Sequence, residues 1–206
     1  MLERLTVGPL QENCYLLTDD ETRGAVLVDP GDEAPRLIRA LEGYTLEAVW
    51  LTHAHFDHVG ALAELQEVYG APTFLHPADE PLLANAAASA ARFGLRLRQP
   101  DVDYTPLGDA QILSFAGREV RCLFTPGHAP GHVAFHFPDE ALVLAGDALF
   151  REGVGRTDLP GGDYAQLMES IRTRLLTLPA ETVVHPGHGP ETTVGHEAKS
   201  NPFLVE

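Results

Sequence analysis

Residues 52–58 read Thr52-His53-Ala54-His55-Phe56-Asp57-His58 and place three imidazoles and one carboxylate within six consecutive positions. All four groups bind transition metals. Gathering them in a fold is costly unless a cation takes up their lone pairs, because carboxylates repel one another and histidines charge on acidification. The stretch therefore predicts a metal site and supplies more than half of its ligands. A loop of surface histidines with Asp57 as a helix N-cap is the alternative interpretation.

The spacing of this cluster places it between a strand and a helix. Its first two histidines are two residues apart, a separation that shares one face only in extended chain. The apolar run 48–51 before them predicts a buried strand, and residues 59–69 after them show helical periodicity. Asp57 and His58 fall near the start of that helix and face in another direction. One loop can therefore offer ligands to two adjacent metal ions.

Composition places the chain among single-domain globular proteins. Its 206 residues contain no linker-like segment and predict one domain over residues 1–206. No apolar run is long enough to span a bilayer and no secretory signal is visible, so we expect no membrane partner and a cytoplasmic location. The net charge of -16 argues against nucleic acid as a partner. Cys14 and Cys122 lie far apart, so we expect buried free thiols.

Hydrophobic periodicity predicts alternating strands and helices in the first half of the chain and mostly strands in the second. Two βαβ-like halves with meander strands favour an α/β fold of two mixed sheets with outer helices, an αββα sandwich. The predicted strands are 5–7, 13–18, 25–29, 48–51, 73–75, 111–115, 119–124, 133–137, 142–144 and 182–185. The predicted helices are 33–41, 61–69, 81–92 and 164–176.

Three more potential ligands follow predicted strands, each beside a glycine: His128 after Gly127, Asp147 after Gly146 and His188 after Gly187. Functional groups collect at strand ends because a rigid sheet positions them there. With the cluster, the candidate ligands are His53, His55, Asp57, His58, His128, Asp147 and His188. Such a set suits two metal ions that share one carboxylate and leave room for a solvent-derived ligand.

Along nearly the whole chain these motifs resemble the signature of the metallo-β-lactamase superfamily, with Asp29 in Val28-Asp29-Pro30-Gly31 matching its first motif. The resemblance implies two divalent metal ions, with these ligands: His53, His55 and His128 for the first, Asp57, His58 and His188 for the second, and a bridging Asp147. Asp29 is expected to support the histidine loop without touching metal. Zinc is the expected metal, and iron and manganese are the alternatives.

Residues 153–158 and the segments 187–195 and 201–204 are similar to the short bacterial hydroxyacylglutathione hydrolases, also called type II glyoxalase II. The resemblance implies that a small-molecule thioester, the glutathione conjugate S-D-lactoylglutathione, is cleaved to D-lactate and glutathione by a hydroxide bridging two metal ions. Asp57 is also expected to orient that nucleophile. Arg156 is expected to bind a substrate carboxylate, with a surface arginine in a turn as the alternative.

The chain departs from the longer glyoxalase II enzymes in two places. Only eighteen residues follow His188, and Pro190 stands where those enzymes carry a tyrosine. Both departures favour broader thioester hydrolysis over strict selectivity for glutathione. The alternatives within the superfamily are a mononuclear iron persulfide dioxygenase, with His53, His128 and Asp147 as its ligands, and a lactonase or β-lactamase.

The remaining histidines show no ligand pattern. His132 is either a group that supports the metal ligands or a hydrogen-bonded turn residue. His185 is expected to be structural. His76, His136 and His196 are expected at the surface or at an interface.

Overall fold

Short strands rich in leucine and valine organise the chain into two six-stranded mixed sheets, one in residues 1–106 and one in residues 107–205. The computed structural model describes residues 1–205. The predicted fold class, two mixed sheets with helices, is confirmed. That residues 1–206 form one domain stays a prediction.

The first unit contains a sheet whose strands follow one another in chain order. The strands are β1 (Leu2–Val7), β2 (Glu12–Thr18), β3 (Gly24–Val28), β4 (Thr45–Trp50), β5 (Thr73–Leu75) and β6 (Tyr104–Pro106). Strands β1 to β3 pair antiparallel, and β3 to β6 pair parallel. The helices are α1 (Ala34–Ala40), α2 (Phe56–Val59), α3 (Leu62–Tyr69), α4 (Glu80–Ala84) and α5 (Ala86–Arg92).

The parallel half of this sheet determines where the histidine cluster lies. Strand β3 is buried at all five positions, as is typical of parallel strands that are covered on both faces. Leu27 and Val49 of the strands share one core with Leu37 of α1 and Leu62 of α3. Parallel strands end at the same edge of a sheet. The residues that follow β3, β4 and β5 therefore meet at one edge.

The second unit contains β7 (Ile112–Phe115), β8 (Arg118–Phe124), β9 (Val133–Phe137), β10 (Leu142–Gly146), the hairpin of β11 (Leu149–Phe150) and β12 (Gly153–Val154), then β13 (Val183–Pro186) and β14 (Thr192–Thr193). Its sheet order is β14-β13-β10-β9-β8-β7. Strand β9 runs antiparallel to both β8 and β10, and β13 runs parallel to β10. Strands β8, β10 and β13 therefore end at one edge of this sheet.

The helices of the described residues are short. Helix α6 (Tyr164–Ser170) continues as a π-helical turn, Ile171–Leu175, and α7 is Val194–Ser200. The helix predicted over 81–92 is divided at Asn85, which has a non-helical φ of -113° and whose side-chain amide donates to the Pro81 carbonyl. The predictions omitted α2, α7, β6, β11, β12 and β14 because such short segments show no period. No helix within residues 1–205 has the length and apolar character to cross a membrane.

Cys14 and Cys122 are free and buried, as predicted. Burial raises the pKa of Cys14 well above its usual value, and the charges of Glu12 and Asp29 add to this effect. Burial also raises the pKa of Cys122 to about 12. Because only the thiolate is reactive, we expect neither thiol to react with a chromogenic disulfide at about pH 8 until the protein is denatured. Rapid release of one equivalent of chromophore from native protein would contradict this burial.

Candidate metal centre

The histidine cluster of the first unit occupies the loop after β4 and the first residues of α2. His53 and His58 are fully buried, whereas His55 and Asp57 are partly exposed. The ring centroid of His53 lies 4.8 Å from that of His55 and 4.1 Å from that of His58. One ligand atom of Asp57 lies within 4.8 Å of a ring nitrogen of His58. The structure therefore brings all four predicted ligands of this loop together.

Asp29 holds this loop through three contacts. Its Oδ1 accepts from the Thr52 backbone N–H at 2.7 Å, and its Oδ2 accepts from the Thr52 hydroxyl at 2.6 Å. The same Oδ2 lies 3.1 Å from Nδ1 of His58. A carboxylate can only accept, so Nδ1 of His58 carries the proton and its Nε2 keeps the lone pair that binds metal. The predicted support of the loop by Asp29 agrees with these contacts.

The same reasoning fixes the tautomer of His53. The Thr52 hydroxyl has one proton and gives it to Asp29, so at 3.0 Å it accepts from Nδ1–H of His53. His53 and His58 both therefore present an unprotonated Nε2. Orientation of this kind is how supporting residues prepare histidines for metal.

Two further buried carboxylates flank the loop, and the sequence analysis missed both. Asp79 is fully buried, and its Oδ2 accepts from the Ala54 backbone N–H at 3.0 Å. Glu12 is 1% exposed, and its Oε1 lies 3.9 Å from Nδ1 of His58. Asp79 lies four residues after β5, and Glu12 is the first residue of β2. Both lie at the sheet edge that carries the histidine cluster, so listing the polar residues at that edge would have identified them.

These acids give the surroundings of the histidine cluster a negative charge. Glu12, Asp29, Asp57 and Asp79 surround one loop, and three of them are at most 2% exposed. Buried carboxylates are costly unless cations compensate them. The negative charges of Glu12 and Asp29 also act on a neighbouring group, because both raise the pKa of the Cys14 thiol. This environment favours the binding of positive charge.

In the second unit Asp147 lies between two histidines at the ends of β8, β10 and β13. Its Oδ2 is 3.5 Å from Nε2 of His128 and 3.6 Å from Nε2 of His188. Nδ1 of His128 lies 2.8 Å from the Arg156 carbonyl, to which it donates, so Nε2 of His128 is the metal-binding nitrogen. The three predicted ligands of this unit are together.

The segment 153–158 lies against these ligands through its backbone. A Cβ at Gly155 would lie 1.9 Å from the Asp147 carbonyl oxygen and 3.1 Å from Nδ1 of His128, so only glycine fits there. The Arg156 side chain points elsewhere, into a bidentate ion pair with Asp158 at 2.7 and 2.8 Å. This pairing lowers the pKa of Asp158 to about 2 and raises the pKa of Arg156. Substrate binding by Arg156 stays a prediction.

His132 supports Asp147. It is fully buried, and its Nε2 accepts from the Asp147 backbone N–H at 3.0 Å. In the neutral ring Nδ1 then carries the proton and donates to the Thr125 hydroxyl oxygen at 2.8 Å. Of the two interpretations of this histidine, the structure favours support of a ligand.

The other histidines have local roles. His76 caps the short helix Pro77–Asp79 by accepting from the Ala78 N–H. His196 lies 3.1 Å from a Glu152 carboxylate oxygen, and His185 lies 3.7 Å from Glu191. The surface prediction was wrong for His136, which is 7% exposed in the fully buried strand β9, where burial lowers its pKa.

The donor set fits divalent transition metals. Two donors bound to one ion at 2.0–2.2 Å in tetrahedral geometry lie roughly 3.3–3.6 Å apart. The two Nε2 to Oδ2 distances at Asp147 are 3.5 and 3.6 Å. Neutral imidazoles with oriented Nε2 atoms and nearby carboxylates are the donors that zinc, iron and manganese accept.

The chain resembles known proteins along almost its whole length. The profile of the metallo-β-lactamase superfamily matches residues 7–188. The hydroxyacylglutathione hydrolase GloC of Haemophilus influenzae is 40% identical over 211 residues, covering 98% of this chain and 97% of that protein. The proposed likeness to short hydroxyacylglutathione hydrolases is consistent with this relative.

Two crystal structures resemble the whole chain. TTHA1623 in a di-iron-bound form is 50% identical, with a TM-score of 0.91 over 98% of this chain and 100% of that one. The B3 metallo-β-lactamase BLEG-1 is 38% identical, with a TM-score of 0.92 over 100% of both chains. The fold is therefore metallo-β-lactamase-like, and metal binding is supported.

The role of His132 can be tested by two substitutions. His132→Leu removes the acceptor for the Asp147 N–H, and we expect metal affinity to fall about 10- to 100-fold, as for other supporting residues of metal sites. His132→Gln keeps a hydrogen-bond acceptor near the position of Nε2, so its metal affinity should fall less than that of His132→Leu. Bound metal measured against a competing chelator checks this. A His132→Leu protein that is folded and binds metal as tightly as wild type would contradict the role.

Proposed function

The chain belongs to the metallo-β-lactamase superfamily, and we propose that it is a metal-dependent hydrolase of thioesters such as S-D-lactoylglutathione. The observation that carries the proposal is the Asp147 carboxylate with one oxygen facing two Nε2 atoms, as a ligand shared between two ions requires. The substrate class is supported by GloC, a hydroxyacylglutathione hydrolase at 40% identity.

We propose that the two sets of donors hold two divalent metal ions, as in the superfamily pattern: His53, His55 and His128 the first, Asp57, His58 and His188 the second, with Asp147 shared. Zinc is the proposed metal. Iron is the main alternative because TTHA1623 was solved in a di-iron-bound form. Manganese also accepts such donors.

When bound, such ions lower the pKa of water from 15.7 to roughly 7, which supplies a nucleophile at neutral pH, and they polarise a carbonyl. The chain's own residues provide the rest. Asp57 accepts a hydrogen bond and so orients the attacking group toward the carbonyl carbon. The leaving thiolate has a parent pKa of about 8.5 and departs without a strong general acid. The reaction therefore requires no serine or cysteine nucleophile, in keeping with the buried thiols.

Arg156 is proposed to bind a substrate carboxylate by exchanging partners. Its guanidinium pairs with Asp158 at a site where both side chains are more than half exposed. Exposed ion pairs contribute little to stability, so a carboxylate of the substrate can replace Asp158 at small cost. The bidentate geometry that Asp158 already uses is the geometry a substrate carboxylate would use.

A β-lactam is the second candidate substrate because BLEG-1, a B3 metallo-β-lactamase, matches the whole chain at 38% identity. Parallel assays with lactoylglutathione, a β-lactam, a lactone and glutathione persulfide rank these activities. Metal analysis of the same protein counts ions per chain. One iron per chain with oxygen uptake on the persulfide would establish a dioxygenase and refute the hydrolase proposal.

Asp147→Ala tests the shared ligand. We expect thioester turnover to fall more than about 100-fold and metal content to drop, because both proposed ions lose a ligand. Asp139→Ala is the matched control, since Asp139 is an exposed aspartate of the same unit. It should keep both properties. Near-normal turnover and metal content in Asp147→Ala would refute the two-metal assignment.

A further inference from the structure

A cavity of about 110 Å³ in the first unit is lined in part by one of the proposed metal ligands, Asp57. It lies among the β1–β2 turn, the start of α2 and the segment 95–97. Asp57 lines it, so a group bound there extends from the place where Asp57 would orient the nucleophile. The cavity is therefore positioned to hold a part of the substrate next to the reacting carbonyl.

Apolar atoms form slightly more than half of the cavity wall. Val7, Leu10, Phe56, Leu95 and Leu97 contribute from three separate segments of chain. Leu10 is 42% exposed, although large apolar side chains are usually buried. Small-molecule sites are typically apolar hollows with few polar groups. This wall is suited to a hydrocarbon group.

The charges of the cavity identify which part of a thioester fits it. Glu12, Asp32 and Asp57 line it together with a single cation, Arg96. The glutathione part of the substrate carries two carboxylates, which three acids would repel. The acyl part can be uncharged. Because of these charges, the acyl group fits the cavity better than the glutathione part does.

Two glycines of the cavity lining are closely packed against backbone. A Cβ at Gly31 would lie 1.9 Å from the Asp57 carbonyl oxygen, and a Cβ at Gly60 would lie 2.0 Å from the Gly31 carbonyl oxygen. Backbone thus packs directly on backbone beneath the cavity. A pre-formed floor reduces the ordering cost of binding.

We propose that this cavity is the acyl site, and that the preferred acyl group is an apolar chain of about four to six carbons. The size follows from volume, since an apolar cavity of about 150 Å³ binds benzene and this one is slightly smaller. The inference rests on the proposed thioester hydrolysis and narrows its substrate class.

Hydrolysis of S-acyl glutathiones of increasing chain length by the metal-loaded protein tests the proposal. Each buried methylene is expected to raise kcat/KM about fourfold until the cavity is full. We expect kcat/KM for S-hexanoylglutathione to exceed that for S-D-lactoylglutathione at least about tenfold. A preference for the lactoyl thioester would overturn the proposal and leave thioester hydrolysis standing.

A matched pair of substitutions localises the effect. Leu97→Ala shortens a cavity wall and should lower the hexanoyl-to-lactoyl ratio of kcat/KM about fivefold. Leu82→Ala removes the same atoms from another partly buried leucine on the same core, outside the cavity lining, and should leave the ratio unchanged. Equal ratios in the two variants would overturn the assignment.

Binding of hexan-1-ol to the cavity can be measured without any thioester hydrolysis. It therefore tests the acyl site independently of the proposed function. Its binding is followed by the methyl NMR signals of Leu95 and Leu97. If no thioester is hydrolysed, the proposed function fails, and shifts of these signals still support a site for a short hydrocarbon group. Unshifted signals at millimolar hexan-1-ol would overturn the cavity as an apolar site.

Discussion

The carboxylate of Asp29 is the contact on which the histidine loop depends. It directly follows β3, while Thr52 follows the neighbouring parallel strand β4 by two residues. One side chain thereby fixes the backbone of Thr52, the hydroxyl that orients His53, and the ring of His58. Its backbone φ of 51° is unusual for a residue other than glycine, and the surrounding contacts must compensate the strain.

Both units use the same structural solution. Each sheet brings together strands that run in one direction, and residues just beyond their carboxyl ends carry the chemistry. In the first unit β3, β4 and β5 lead to Asp29, the histidine loop and Asp79; in the second, β8, β10 and β13 lead to His128, Asp147 and His188. Rigid strands determine the positions, so the loops themselves need little regular structure.

The sequence predicted well the features that depend on local pattern. Runs of apolar residues located the long strands. The histidine cluster and the three potential ligands beside glycines supplied the seven candidate ligands, which stay a prediction. The sequence pattern did not predict the features that depend on tertiary packing. For His132 the local pattern left two interpretations open, and only its contact with the Asp147 N–H favours one of them. His136 was expected at the surface or an interface and is buried in β9. Glu12 and Asp79 have no motif around them and gain meaning only when the strand order is known.

The partners at Nδ1 differ among the three oriented histidines, and this has chemical consequences. His58 donates to a carboxylate, His128 to a backbone carbonyl and His53 to a hydroxyl. A carboxylate partner makes the imidazole most basic and a hydroxyl least. In the proposed assignment His58 serves the second ion, whereas His53 and His128 serve the first. In that assignment the ion that receives the more basic nitrogen from His58 would also have Asp57. Because Asp147 would serve both ions, the second position would carry one more carboxylate than the first.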